Sequence, residues 1–199
     1  MPQALLRKRE LLKYCRTTGR QTDMKQLGQR IVGLWLLLVL WGCQPAPTPQ
    51  GDRVRITKAA SGMMLEVLPL AQQTQAERIR LIGLDAPAFD QDPWDEQAQT
   101  YLQTLTLGKT VLLEPDIELA FQPKTGLSQK LAYVWLDGTL LNEKMIAEGY
   151  VLARSRSPNL KYDQRLTRAQ ESARLRGIGI WNPNQPMRQT PGEFRKDEG

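Results

Sequence analysis

The chain contains no histidine in its 199 residues. That absence excludes a Ser-His-Asp or Cys-His nucleophile system and any imidazole-ligated metal centre. General acid–base work falls to Asp, Glu, Lys or Tyr. Cysteine is nearly as scarce. The two present, Cys15 and Cys43, both precede the region that reads as folded, so a disulfide framework, a CxxC redox pair and a thiolate metal site are excluded there. Long apolar runs are also missing. Residues 31–41 (IVGLWLLLVLW) form a run too short for a ~30 Å hydrocarbon layer at about 1.5 Å per residue.

The formal charge is +6 but unevenly placed. Residues 1–43 hold eight of the 27 Lys and Arg and two of the 21 Asp and Glu, which leaves 19 of each sign in residues 44–199. The basic isoelectric balance therefore belongs to the leader. It is no argument for nucleic-acid affinity of the rest, which would need a local basic patch. With 41% apolar residues, the remaining length suffices for one ordinary domain with a packed core.

Residues 31–41 fit the h-region of a signal peptide. Residues 24–30 (MKQLGQR) supply a short basic n-region through Lys25 and Arg30. Met24 makes a natural start, with residues 1–23 an upstream extension. Leu40-Trp41-Gly42-Cys43 resembles a bacterial lipobox, in which the Cys43 thiol is acylated and becomes the first mature residue. The alternative is an uncleaved N-terminal anchor. Residues 44–50 (QPAPTPQ) alternate proline with small or polar residues and read as an extended spacer. The expected organisation is a leader at 1–42, a lipidated cysteine and proline-rich tether at 43–52, a domain at 53–181, and a polar tail at 182–199 expected to be disordered. On this reading the protein is an extracytoplasmic, membrane-anchored lipoprotein.

Within the domain, the pattern predicts strands at 54–58, 63–70, 77–84, 109–114 and 130–136. A Ser61-Gly62 turn separates the first two, and Asp137-Gly138 reads as a hairpin turn after the last. In 77–84 (ERIRLIGL) Ile79 and Leu81 would face the core, with Arg78 and Arg80 on the opposite face. The spacing of Trp94, Ala98, Tyr101, Leu102 and Leu105 predicts a helix over 93–107, closed by Gly108. Two further helices are expected at 141–149 and 160–176, the last with Tyr162, Leu166, Ala169 and Ala173 on one stripe. The fold class is mainly β with α: a five-stranded OB-fold barrel with one interposed helix and two C-terminal helices.

Several motifs in order, ERIRLIGLDAP, LAYVWLDG with LN following, GY and then PN-KY, and AQ--AR with GIW, resemble the staphylococcal-nuclease-like (thermonuclease) family. The resemblance implies calcium-dependent phosphodiester hydrolysis. In that family carboxylates hold the calcium, a glutamate assists attack by water, and two arginines bind the phosphate and its developing charge. Each role needs its residue type: calcium takes hard oxygen ligands, a water nucleophile needs a base, and a pentacoordinate phosphate needs donors that stay protonated.

Carried over one position at a time, the family's third-strand arginine falls on Arg80. The aspartate ligand of its Asp-Ala/Thr-Pro-Glu motif falls on Asp85. The other three positions differ. The second aspartate of the family's Asp-Gly-Asp-Thr turn falls on Met63, the glutamate of Asp-Ala/Thr-Pro-Glu on Ala88, and the second arginine on Gln129. The resemblance thus implies a degenerate site in which Arg80 and Asp85 keep family roles, metal ligation rests on Asp85, and hydrolysis is weak or absent. Calcium is the implied cofactor only if the domain is active.

Asp85, Asp90, Asp92, Asp95 and Glu96 form an acidic cluster with no basic residue between Leu81 and Gly108. It reads as a solvated loop and helix first turn complementing the helix dipole, or as the source of a carboxylate relocated for position 88. Lys130 neighbours Gln129, but adjacent strand residues face opposite sides. Arg154, Arg156, Lys161, Arg165, Arg168, Arg174 and Arg176 face only Asp163 and Glu171. This set reads as the solvated side of a helix, or, in Arg154, Arg156 and Lys161, as a phosphate-binding group. Three functions are expected from these residues. The first is a tethered, hydrolytically weak domain that binds nucleic acid or another phosphate ligand; the others are an active calcium-dependent nuclease on relocated carboxylates and a barrel that binds a protein partner.

Overall fold

Strand β1 (Asp52–Ser61) buries Val54 and Ile56 and leaves Arg53 and Arg55 outside, the period of two that a half-buried strand requires. A register shift between Ile56 and Lys58 then brings Ala59 inward. The chain turns at Ser61-Gly62 into β2 (Met64–Pro69), antiparallel to β1, and β2 pairs with β3 (Glu77–Leu81). In β3, Ile79 and Leu81 are buried and Arg78 is exposed, as its alternation requires. Strand β5 (Thr110–Glu114) pairs antiparallel with both β1 and β7 (Gln129–Leu136). Strand β3 meets β7 in parallel, Arg80 opposite Leu131. The order β3-β2-β1-β5-β7 with that last pairing closes a five-stranded barrel and covers its edges.

The structure, a computed structural model, describes residues 48–70, 75–123 and 128–197, all within the compact unit that begins at Thr48. The expected signal segment, the lipobox with Cys43 and most of the spacer lie outside the described residues. Among the described residues no helix is long and apolar enough to cross a membrane.

Helix α1 (Trp94–Thr106) buries Ala98, Leu102 and Thr106, with Trp94, Tyr101 and Leu105 half-buried. It lies so close to the first turn that a Cβ on Gly62 would come within 2.6 Å of the Ala98 Cβ. Asp137 and Gly138 take φ of 49° and 79°, the left-handed pair of a tight hairpin turn. Helix α2 (Leu141–Ala147) follows and packs on α3 (Asp163–Arg176). Between strand and helix, Asn142 is wholly buried. Its Nδ2 donates to the Ile82 carbonyl at 2.8 Å, and its Oδ1 accepts from the Val134 amide at 2.9 Å. One side chain thus ties α2 to β7 and to the chain leaving β3.

Two expectations need correction. The last long helix begins at Asp163 rather than at residue 160, because Lys161 and Tyr162 are held by side chains outside it: the Lys161 amide donates to Asp116 at 3.2 Å and the Tyr162 hydroxyl to Glu114 at 2.9 Å. The tail is also ordered where disorder was expected. Residues 191–197 form a further helix, α4 (Pro191–Asp197). Thr190 and Glu193 cap it reciprocally, the Thr190 amide donating to Glu193 Oε2 at 2.7 Å and the Glu193 amide to Thr190 Oγ1 at 3.3 Å, with Pro191 at the first helical position.

Candidate functional site

A short turn sets Asp85. After β3 ends at Leu81, Gly83 takes φ of 78° and β4 (Leu84–Asp85) follows, paired with β9 (Leu152–Ala153). Only glycine suits position 83, since side chains disfavour that φ and a Cβ there would collide with Leu166 Cδ1. The two-stranded ladder places Asp85 opposite Leu152, and the Arg154 amide donates to the Gly83 carbonyl at 2.9 Å. Arg154 is thereby delivered beside Asp85, with Nη1 donating to Oδ2 at 3.1 Å. The other oxygen, Oδ1, accepts from Arg195 Nη2 at 3.0 Å. Asp85 is 7% exposed, so a nearly buried carboxylate has each oxygen held by a guanidinium.

Arg80 enters from β3. Its guanidinium lies over the Phe121 ring at 5.3 Å from the centroid, and that of Arg156 lies over the same ring at 5.1 Å. Phe121 belongs to β6 (Ala120–Phe121), which pairs with β7 and sets Phe121 opposite Gln129. Asn159 fixes the loop that carries Arg156: its amide donates to the Arg156 carbonyl at 3.0 Å, while its side chain exchanges hydrogen bonds of 2.7 and 3.0 Å with the Glu118 backbone. Burial lowers the Arg80 pKa; Asp85 opposes that, and Arg195, Arg154 and Arg156 add to it. A guanidinium keeps its proton in this environment. Arg80, Arg154, Arg156 and Arg195 share a cavity of about 360 Å³ with Met63 and Glu118. Their donors are suited to the oxygens of an anion such as phosphate.

Of the predicted residues, the structure brings together Arg80, Asp85, Arg154 and Arg156. It does not bring Lys161 to them. Lys161 Nζ donates to Glu114 Oε1 at 2.5 Å, and Trp135 Nε1 donates to Oε2 of the same carboxylate at 2.7 Å. Arg165 in the same basic stripe is paired with Glu143, its Nε donating at 2.8 Å. Lys161 and Arg165 are thus neutralised by β5 and α2.

The remaining positions are equally definite. Met63 walls the arginine cavity and Ala88 is buried. Gln129 is buried too, and its Oε1 finds no donor among the described residues. Lys130 points elsewhere, to Glu77 at 2.7 Å. Asp90 and Asp92 line a separate, open cavity together with Asn184, Arg188 and Phe194 of the tail, and Asp95 accepts from the Asp90 and Glu96 amides.

Two members of the site escaped sequence reasoning. Phe121 stands in a stretch, 115–129, to which no element was given, and Arg195 stands in the tail. The Thr190-Pro191-Gly192-Glu193 capping sequence was the signal that could have revealed the helix bearing Arg195.

Calcium takes about six to eight oxygen ligands. Here both oxygens of Asp85 are held by arginines, Met63 brings a thioether and Ala88 a methyl group. Among the described residues no group of three or more Asp, Glu, Cys or His could hold a metal ion. These residues do not fit a calcium ion.

Comparison with known proteins gives the frame its relatives. A thermonuclease of Staphylococcus intermedius is 34% identical over 137 residues, which is 66% of this chain and 77% of that protein. A thermonuclease of Staphylococcus hyicus is 32% identical over 111 residues, 53% of this chain and 63% of the relative. A protein named as an uncharacterized endonuclease of Haemophilus influenzae is 26% identical over 169 residues, 85% and 87% of the two chains. Residues 78–183 match the family described as staphylococcal nuclease homologue. That span runs from β3, through the turn that sets Asp85, to the 3-10 turn after α3 at Gly179–Trp181. With the Asp85 turn, the strands from β3 to β9 and the helices α1 to α3 in the matched residues, which are more than half of the chain, the chain belongs to the staphylococcal nuclease homologue family and carries its nuclease domain.

Proposed function

We propose that this domain is held outside the cytoplasm by a lipid on Cys43 and binds nucleic acid or another phosphate-bearing ligand through Arg80, Arg154 and Arg156, with weak or no hydrolysis. The double ion pair on Asp85 is the observation that carries this reading. A carboxylate so engaged is not free to ligate a metal, whereas the arginines around it still present donors for phosphate oxygens. Removing a positioned base costs about 10²–10⁴ in rate, and removing a charge stabiliser about 10²–10³. Ala88 and Gln129 stand where the family pattern has both. Even losses that do not simply add leave hydrolysis slow.

The test is to incubate the purified protein with single- and double-stranded DNA and RNA, with and without calcium, beside binding titrations across salt concentration. Binding that weakens with salt and an absence of calcium-dependent turnover are expected. Calcium-dependent turnover abolished by Asp85→Ala would sink the reading. Failure to bind any of the four nucleic acids would turn it toward a protein partner. Fractionation of cells carrying Cys43→Ser tests the tether, since the variant should leave the membrane fraction.

A further inference from the structure

The family match ends at residue 183, yet Arg195 beyond it reaches the nearly buried carboxylate at the centre of the site. Its helix is tied to the acidic loop by one hydrogen bond and ordered by two contacts of its own. Gln91 Nε2 donates to the Gln189 carbonyl at 2.9 Å, Gln189 Nε2 donates to Asp197 at 3.1 Å, and the Thr190–Glu193 cap fixes the first turn of α4. Arg154 and Arg195 each use one nitrogen on Asp85 and make no other side-chain hydrogen bond among the described residues. The rest of each five-donor fork is left for a ligand.

We infer that the C-terminal segment is a working part of the site: Arg195 takes the place on Asp85 that a cation would need and joins Arg80, Arg154 and Arg156 as one arm of a metal-independent phosphate-binding pocket. The inference rests on the phosphate reading above. Asp85 then acts as a positioning residue that orients two guanidinium groups. Four arginines outnumber the two carboxylates, Asp85 and Glu118, so the cavity stays cationic with the ion pairs in place. Its volume of about 360 Å³ is at the small end of the roughly 300–1,000 Å³ of ligand pockets. That size suits one phosphate group with part of its substituent, with the strand running on outside.

The full chain is titrated by anisotropy with a fluorescein-labelled single-stranded DNA oligonucleotide, in EDTA and again in calcium. The expected result is binding of equal strength in both. Arg195→Gln should weaken it about tenfold or more, as the loss of a charged hydrogen bond does, and lower the log–log salt slope by about one. Arg188→Gln, in the same segment but lining the cavity of Asp90 and Asp92, should change affinity by no more than about twofold, the scale of a neutral surface change. Thermal melting checks that Arg195→Gln keeps the fold, and ending the chain after Asn184 should give the same loss.

If Arg195→Gln binds as tightly as the parent while Arg80→Gln does not, the inference is overturned and the phosphate reading stands. Tighter binding after either change to the segment also overturns it, because the segment would then be a cover. If the parent binds the oligonucleotide only with calcium, or binds none of the four nucleic acids named above, both fall.

Discussion

The hydroxyl of Tyr162 donates to Oε2 of Glu114 at 2.9 Å, at a carboxylate only 3% exposed. Burial alone would raise the Glu114 pKa, but the donors Lys161, Trp135 and Tyr162 outweigh it and hold the group below its ordinary value. A depressed carboxylate contributes stability above its unfolded pKa and loses it as pH falls through the folded one. At neutral pH, Glu114→Gln should therefore cost roughly 1–3 kcal/mol. The gap between parent and variant should close progressively below the unfolded value of about 4.5. Urea midpoints from pH 7 down to pH 3 check this; a gap that stays constant with pH contradicts it.

Gly83→Ala combines a left-handed φ with a collision against Leu166. A non-glycine residue held at such an angle costs about 1–3 kcal/mol, and the overlap adds to it. Adding Leu166→Ala should recover the steric part and leave the backbone part. A double-mutant cycle by chemical denaturation separates them. Purely additive losses would show that the two residues do not meet.

Phe121 carries no charge but seats two that do. A cation–π contact is worth about 0.5–2 kcal/mol, so Phe121→Leu should weaken oligonucleotide binding severalfold and Phe121→Trp should preserve it. The salt slope should stay unchanged in both, because no cation is removed. Affinity unaffected by Phe121→Leu would mean that Arg80 and Arg156 do not need the ring.

Gln91 bridges loop and tail. Its Oε1 accepts from the Ala88 amide at 2.9 Å, and its Nε2 donates to the Gln189 carbonyl. Gln91→Ala strands the buried Ala88 amide, at about 1–3 kcal/mol, and releases the exposed Gln189 carbonyl to solvent. Faster amide hydrogen exchange is expected across residues 189–197 and little change in β1 or β7. Unchanged exchange in that segment would show that the Gln91 bridge does not hold α4.

Much of the architecture was legible because it depends on local pattern. Alternation at 77–81 correctly set Ile79 and Leu81 inward, and Asp137-Gly138 declared its own turn. The two-residue strands β4, β6, β8 (Thr139–Leu140) and β9 were not legible, since two residues carry no period. They include the ladder that seats Asp85 and the strand that bears Phe121. Lys161 misled because its chain position, beside Arg154 and Arg156, says nothing of the buried Glu114 waiting for it. The tail misled because its polarity and prolines resemble those of a disordered segment. Its helix depends on a cap and on contacts with distant residues rather than on an apolar stripe.

Asp85 draws its two partners from 69 and 110 positions further along the chain. Each is a loop closure whose entropy must be met before the contact gives anything back, and contacts of such separation form slowly. A partly folded chain can hold strands and helices but cannot assemble this pocket. Ligand binding is thus a stricter report of completed folding than helix content, and recovery of affinity after refolding should lag recovery of the far-ultraviolet signal.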